Sequence, residues 1–280
     1  MDSRSFSRPL RIGIDAHAIG SRLGGNETYI LDVLASLRDH PEHTYYVYVS
    51  DTAAAKRARE ALPSVCVIRN IGHTNPLIRL GYRLTRFSRA DQVDVLHVQY
   101  VSPLVAPKIV VSIHDLSFIH HPEWYSRVEA ERLRRTVRWT AKRARQILTI
   151  SDYSRRDIIA NLGAPPNKVT FSHLGLRPIF NPRPAEEIEP ALKRFGVEGP
   201  YILTLGNLQP RKNVARLIEA WTNLRRSAPD FSPKLVIVGR KAWIFEPIFA
   251  AAKDSEFAKD VIFTEYVPEH DLPALMSGAN

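Results

Sequence analysis

A chain of 280 residues with 44% hydrophobic content can bury the core of two domains, or of one large one. No apolar run approaches the ~18–20 residues that span a bilayer. The opening MDSRSFSRPLRIGID has no apolar stretch of a secretory signal, and the lone Cys66 excludes an internal disulfide or a thiolate metal cluster. The formal net charge of +10 favours anionic partners (nucleic acid, anionic lipid or phosphorylated substrates) without choosing among them.

In chain order, Leu10–Asp15 reads as a first buried strand, followed by a loop ending in Gly24-Gly25. Tyr29, Ile30, Val33, Leu34 and Leu37 then recur with the period of a helix. Strands are expected at Tyr45–Ser50 and Val65–Ile68, with a helix from Ala53 to Leu62 between them. Asn75-Pro76 opens a helix to Arg89, and Val93–Val98 and Ile109–Ile113 are the next strands. A long helix covers Ser126–Arg145, then a strand Ile147–Ile150, a helix capped by Ser151, and a strand Val169–Ser172.

From Arg177 to Pro200 prolines cluster with charges, which marks a linker and a short helix. The alternation then restarts with strands at Tyr201–Leu205, Lys234–Val238 and Val261–Phe263. Helices follow at Asn213–Arg226, Glu246–Lys253 and Pro268–Ser277. Strands alternating with helices throughout predict an α/β fold of two doubly wound domains, 1–180 and 200–280, joined by a linker at 181–199.

Ligands of such sheets gather beyond the carboxyl ends of the strands, and three candidates fall there. Arg211 and Lys212 follow Tyr201–Leu205, Gly206 and Pro210 and arrive at a helix start, an arrangement suited to an anion. Gly24-Gly25 stands at another helix start, where it is either a plain turn or a place for a phosphate to approach backbone amides. His114 follows Ile109–Ile113 directly, either as a structural histidine or as a site residue. His120 and His121 lack a zinc-binding spacing and read as loop residues.

The stretch TLGNLQPRKNVARLIEAW resembles the phosphate-binding segment of the retaining nucleotide-sugar glycosyltransferases of family 4, which have the two-domain GT-B fold. Gly206 and Lys212 match that pattern. Asn207 stands where arginine is usual, and Arg211 fits a variant with a Pro-Arg-Lys-Asn run. GGNETYI resembles the family's glycine-rich loop, and VSIHD its strand-end histidine, which touches the donor sugar.

The resemblance implies transfer of a sugar, with mannose the candidate, from a nucleotide diphosphate sugar to an acceptor hydroxyl with retention, in polysaccharide or glycolipid assembly. It implies no metal and no cofactor beyond that co-substrate, and two domains facing a cleft. His114 would be the catalytic residue. Gly24, Gly25, Asn207, Arg211, Lys212 and Val267 would bind the donor, Val267 beside the nucleobase. The acceptor would be a glycan or a lipid-linked molecule. In the family, text resembling DLPALMSGAN is followed by a further strand and an E-x7-E segment, so a C-terminally incomplete chain is expected.

Arg79, Arg83 and Arg86 share one face of the Pro76–Arg89 helix, and arginines crowd Arg127–Arg145. They form either solvated faces or a contact with an anionic membrane. The expected location is cytoplasmic, with a peripheral position on the inner face of the plasma membrane. A nucleic-acid partner is disfavoured, because no aromatic residues interleave with the basic helices as a stacking platform. A non-catalytic sugar-nucleotide-binding remnant is the other alternative.

Overall fold

The computed structural model describes residues 8–21, 24–37, 40–62, 66–73 and 75–280. Contacts divide the chain into two units, Met1–Leu174 and Gly175–Asn280. Among the described residues the first unit holds seven strands: β1 (Arg11–Asp15), β2 (Thr44–Val49), β3 (Cys66–Asn70), β4 (Val95–Gln99), β5 (Lys108–Ser112), β6 (Gln146–Thr149) and β7 (Val169–Phe171). All pair in parallel in the order β3-β2-β1-β4-β5-β6-β7. The chain order reverses between β1 and β4, which makes the carboxyl ends of these two strands the switch point of the sheet. Val65, expected to start the third strand, lies outside the described residues.

Helices α1 (Gly25–Ser36), α2 (Thr52–Ala61), α3 (Pro76–Ile78), α4 (Leu84–Ala90), α5 (Ser117–His120), α6 (Arg127–Arg143) and α7 (Asp152–Leu162) connect the strands. Side-chain oxygens cap α2, α6 and α7, from Asp51, Ser126 and, as expected, Ser151. The period-2 alternation of β2 decides which face each residue covers. Tyr45, Val47 and Val49 pack with Ile30, Leu34, Ala54 and Ala58 of α1 and α2. Tyr46 and Tyr48 face the opposite core, with Leu84, Val98, Val111 and Val137.

The 76–90 helix corrects an expectation. Residues Arg79–Arg83 form a π-helical turn between α3 and α4, which turns the following residues away from a regular 3.6-residue register. Arg79, Arg83 and Arg86 therefore share no common outward face. Arg79 pairs with the fully buried Asp15, and Arg83 donates to the Ile71 carbonyl. Leu77, Ile78 and Tyr82 are exposed instead, at 80%, 50% and 58%. Along α6, Arg132 pairs with Glu129, and Arg134 and Arg135 pair with Glu131. Arg138 and Arg143 donate to backbone carbonyls. That pattern is a solvated face laced by local pairs.

The second unit carries, among the described residues, the parallel strands β8 (Tyr201–Leu205), β9 (Lys234–Val238) and β10 (Val261–Glu265) in the order β10-β9-β8. Its helices are α8 (Ala185–Arg194), α9 (Val214–Ser227), α10 (Glu246–Asp254) and α11 (Leu272–Ser277). Leu235 and Ile237 of β9 face α9 and α10, while Val236 and Val238 face α8 and α11. All four are at most 2% exposed. Burying each such side chain contributes about 1.5–3 kcal/mol.

The 181–199 stretch, expected as a linker with a short helix, carries that helix as α8 and is part of this unit. Ala191 and Val197 lie in its core with Tyr201 and Leu275. The prolines that suggest a linker are tolerated because Pro184 caps α8, and Pro190, inside a short helix, removes a single backbone donor. Among the described residues no helix is long and apolar enough to cross a membrane.

Candidate active site

The first unit gathers a polar constellation at its switch point. Asp15 ends β1 and is fully buried. Burial alone would raise its carboxyl, but the Arg79 guanidinium and His17 outweigh that and hold it well below the usual carboxylate range. The loop after it folds back on α1. Gly20 N–H donates to Glu27 Oε1 at 3.0 Å, and Arg57 pairs with the same buried carboxylate at 3.1 Å.

Gly24 caps α1 with φ 102° and ψ −140°, a region open to glycine alone, and its carbonyl accepts from Glu27 N at 3.0 Å. A Cβ added at Gly25 would meet nothing within 4 Å among the described residues. The two glycines thus differ: the first is required by the backbone, and the second leaves open space at the helix start.

His114 follows β5 and is 8% exposed. Its Nε2 lies 3.1 Å from Gln99 Oε1, and Gln99 Nε2 donates to the Asn26 carbonyl at 3.3 Å. Tyr29 and Tyr100 meet the ring edge-on, with centroids 4.5 and 5.6 Å away. Tyr100 adopts φ 58°, an uncommon left-handed conformation for a bulky residue, which turns the chain at the end of β4. Burial pushes the His114 imidazole down, with Asp115 opposing in part. His97 shares a 2.8 Å hydrogen bond with Ser112 Oγ, which also meets Tyr29 Oη at 2.7 Å. Burial brings His97 to about 4.

His97, Gln99, Ser112 and Tyr29 are absent from the sequence-based site. For His97 and Gln99 the signal is the alternation in VLHVQ: two polar residues at period 2 in a strand of the central sheet. His120 and His121 take structural roles. His120 Nε2 lies 2.8 Å from Asp157, while His121 meets Glu123 and stacks on Trp124.

The second unit builds a cationic rim beyond β8 and β9. Gly206 leaves β8 with φ 154°, and a Cβ on Gly239 would sit 1.9 Å from the Gly206 carbonyl oxygen. These backbones can approach so closely only because both residues are glycine. Leu208 N–H donates to the Arg240 carbonyl at 2.8 Å, which pins the 207–209 segment, Asn207 included, against the exit of β9.

Pro210–Lys212 form one 3-10 turn, and Asn213 (φ 53°) leads into α9. Arg211 and Lys212 are exposed. At the exit of β9, Arg240 lies over the Tyr266 ring at 4.7 Å and Lys241 over Phe249 at 4.8 Å, while the backbone of Lys241 bridges to Leu208 of this loop. Arg240 was not foreseen, although it follows a strand-end glycine as Lys212 follows Gly206. Val267, expected beside the nucleobase, is 4% exposed and packs its side chain into the core of this unit.

Glycine-bounded loops at the carboxyl ends of parallel strands define a doubly wound ligand-binding fold. The model of Glycosyltransferase Family 4 matches residues 23–178, more than half of the chain, and that of Glycosyl transferases group 1 matches residues 186–280. The chain belongs to Glycosyltransferase Family 4.

It is 26% identical over 213 residues to the O-antigen chain mannosyltransferase B of Escherichia coli, covering 73% of this chain and 55% of that protein. It is 37% identical over 83 residues to a GDP-mannose-dependent alpha-(1-6)-phosphatidylinositol monomannoside mannosyltransferase of Mycolicibacterium smegmatis, covering 29% and 21%. The chain thus spans about half the length of the first relative and about a fifth of the second. Anabaena HepE in complex with UDP-glucose has the same fold, with a TM-score of 0.71 at 15% identity, covering 96% of this chain and 72% of that one.

Proposed function

We propose that this protein is a hexosyltransferase that moves a sugar, with mannose the first candidate, from a nucleotide diphosphate sugar to a hydroxyl of a glycan or lipid-linked acceptor. The observation that carries the reading is the loop beyond β8 in which the Lys212 side chain lies against Gly206, Arg211 stands beside it in the chain, and Leu208 is tied to the Arg240 backbone at the exit of β9. In transfer the anomeric carbon exchanges its bond to the diphosphate for one to the acceptor oxygen. Negative charge grows on the departing diphosphate, and fixed cations stabilise it. Two relatives named as mannosyltransferases support mannose, and a neighbour of the same fold that holds UDP-glucose supports a nucleotide-sugar donor.

Retention of configuration and independence from a metal belong to the same proposal, with Arg211, Lys212 and Arg240 supplying the positive charge. His114, held neutral by burial, takes a sugar hydroxyl rather than the diphosphate. Assembly of a polysaccharide or glycolipid at the cytoplasmic face of a membrane fits the exposed Leu77, Ile78 and Tyr82. The test is a panel of GDP- and UDP-sugars assayed for donor cleavage and for binding of the bare diphosphates. GDP-mannose should be cleaved and GDP should bind. Binding of neither nucleotide diphosphate overturns the reading.

A further inference from the structure

The proton on the His114 ring is fixed by its neighbours. A backbone carbonyl only accepts, so the Gln99 atom 3.3 Å from the Asn26 oxygen is the amide nitrogen. An amide oxygen turned that way would face a second acceptor. Gln99 Oε1 therefore points to His114 Nε2 at 3.1 Å. Since that oxygen cannot donate, Nε2 must carry the proton. His114 Nδ1 has no hydrogen-bond partner among the described residues, whereas Nε2 is engaged.

We propose that Gln99 is a positioning residue that holds His114 as its Nε2–H tautomer, leaving Nδ1 as a bare acceptor for a ligand hydroxyl. Asn26 lies in the first turn of α1, one residue beyond Gly25, so the helix start that shapes the glycine loop also sets the tautomer of the ring. Tyr29 and Tyr100 pack T-shaped against the ring. Asp115 is the acidic group acting on the ring, and His97 the basic one. In this state the ring accepts from a hydroxyl at Nδ1, and a phosphate oxygen placed there would meet a lone pair. The tautomer stands independently of sugar transfer; the hydroxyl as ligand rests on the function proposed above.

The experiment is 1H–15N spectroscopy of the full chain with 15N-labelled histidine and no ligand, with His114 assigned by the loss of its signals in His114→Asn. At neutral pH the ring should show a protonated Nε2 and an unprotonated Nδ1. Gln99→Met, of similar volume, should lose that pattern to a mixture of tautomers. Gln99→Glu should keep Nε2–H and raise the titration midpoint of the ring by roughly one pH unit or more, because a carboxylate then faces it. A wild-type ring protonated at Nδ1, or an unchanged pattern in Gln99→Met, overturns the proposal. If Gln99→Met does not fold, Gln99→Glu decides alone, and an unmoved midpoint overturns it. These outcomes need no donor, so they are separate from the failure of any nucleotide sugar to be cleaved.

Discussion

The aliphatic chain of Lys212 lies against Gly206: a Cβ added to that glycine would come 3.3 Å from Lys212 Cε and 3.7 Å from Nζ. The glycine thus serves two ends. Its φ of 154° lets β8 turn, and its bare face gives the lysine a seat that holds the ammonium beside the loop. Lys212→Ala should weaken binding of the nucleoside diphosphate by about 1.5–3 kcal/mol, the range for a hydrogen bond to a charged group. Gly206→Ala should weaken it as well, by displacing the lysine, while the Lys212→Ala/Gly206→Ala double variant should lose less than the sum. Calorimetric titration with GDP and UDP measures all three. Unchanged affinity in Lys212→Ala removes this loop from the site.

The pairing of Asp15 with Arg79 leads to a prediction about acid stability. The carboxyl is fully buried, and the guanidinium that neutralises it is 11% exposed. Removing one partner of a buried pair costs about 3–5 kcal/mol, because the other is left charged and dry. Arg79→Met should therefore destabilise the first unit by that order at pH 7. The sign of the pH dependence follows from the depressed carboxyl. In the parent, the contribution of Asp15 is complete above its unfolded value near ~3.9 and is lost as pH falls below it. In Arg79→Met the carboxyl rises instead, so stability should grow as pH falls toward 4. Urea unfolding across pH 3–7 distinguishes the two slopes.

How far the fold could be read from the sequence depends on where each signal is local. The apolar strand at Gln146–Thr149, the Ser151 cap and the Arg211-Lys212 loop are short-range features, and each stands where expected. Arg79 was misplaced because its partner Asp15 is 64 residues away, and a helical wheel cannot register a π-helical turn. Gln99 and His97 were overlooked because their partners come from α1 and β5, distant in the chain, and the polar alternation of the strand does not by itself name them. The short helix expected between Arg177 and Pro200 is α8, but its membership of the second core was not legible, since the burial that keeps it in place comes from Tyr201 and Leu275.

His97 supplies a second pH-dependent term of different range. Burial lowers its imidazole to about 4 from the ordinary 6.5. The folded protein therefore stays unprotonated there while the unfolded chain takes up a proton. Stability contributed by the neutral ring is complete above ~6.5, declines as pH falls toward 4, and levels off below. At ~1.4 kcal/mol per pH unit the loss amounts to about 3 kcal/mol. His97→Gln, which retains a hydrogen-bonding group for Ser112, should flatten the stability profile between pH 6.5 and 4. Thermal unfolding at half-unit steps of pH reads this directly, and an unaltered slope would show that another group titrates in that window.

The exposed side chains of the 76–90 helix point to one further measurement. Leu77, Ile78 and Tyr82 stand outward over scarcely two turns, and Arg86 and Arg89 are exposed farther along the same segment. Full burial of one such apolar side chain contributes about 1.5–3 kcal/mol, and each arginine near an anionic surface adds ~1 kcal/mol. Together these give peripheral adsorption without any spanning segment. Phosphatidylglycerol vesicles should therefore sediment the protein, less so as salt rises, and phosphatidylcholine vesicles should not. Leu77→Ser, Ile78→Ser and Tyr82→Ser combined should abolish binding without altering the thermal transition, since these side chains face solvent. Arg86→Glu with Arg89→Glu should remove the salt-dependent part. Arg79→Glu is unsuitable as a test, because it would set a second carboxylate against Asp15 and unfold the unit before any surface was probed. Full binding by the triple serine variant, or equal binding to neutral vesicles, would leave this helix as an ordinary solvated face.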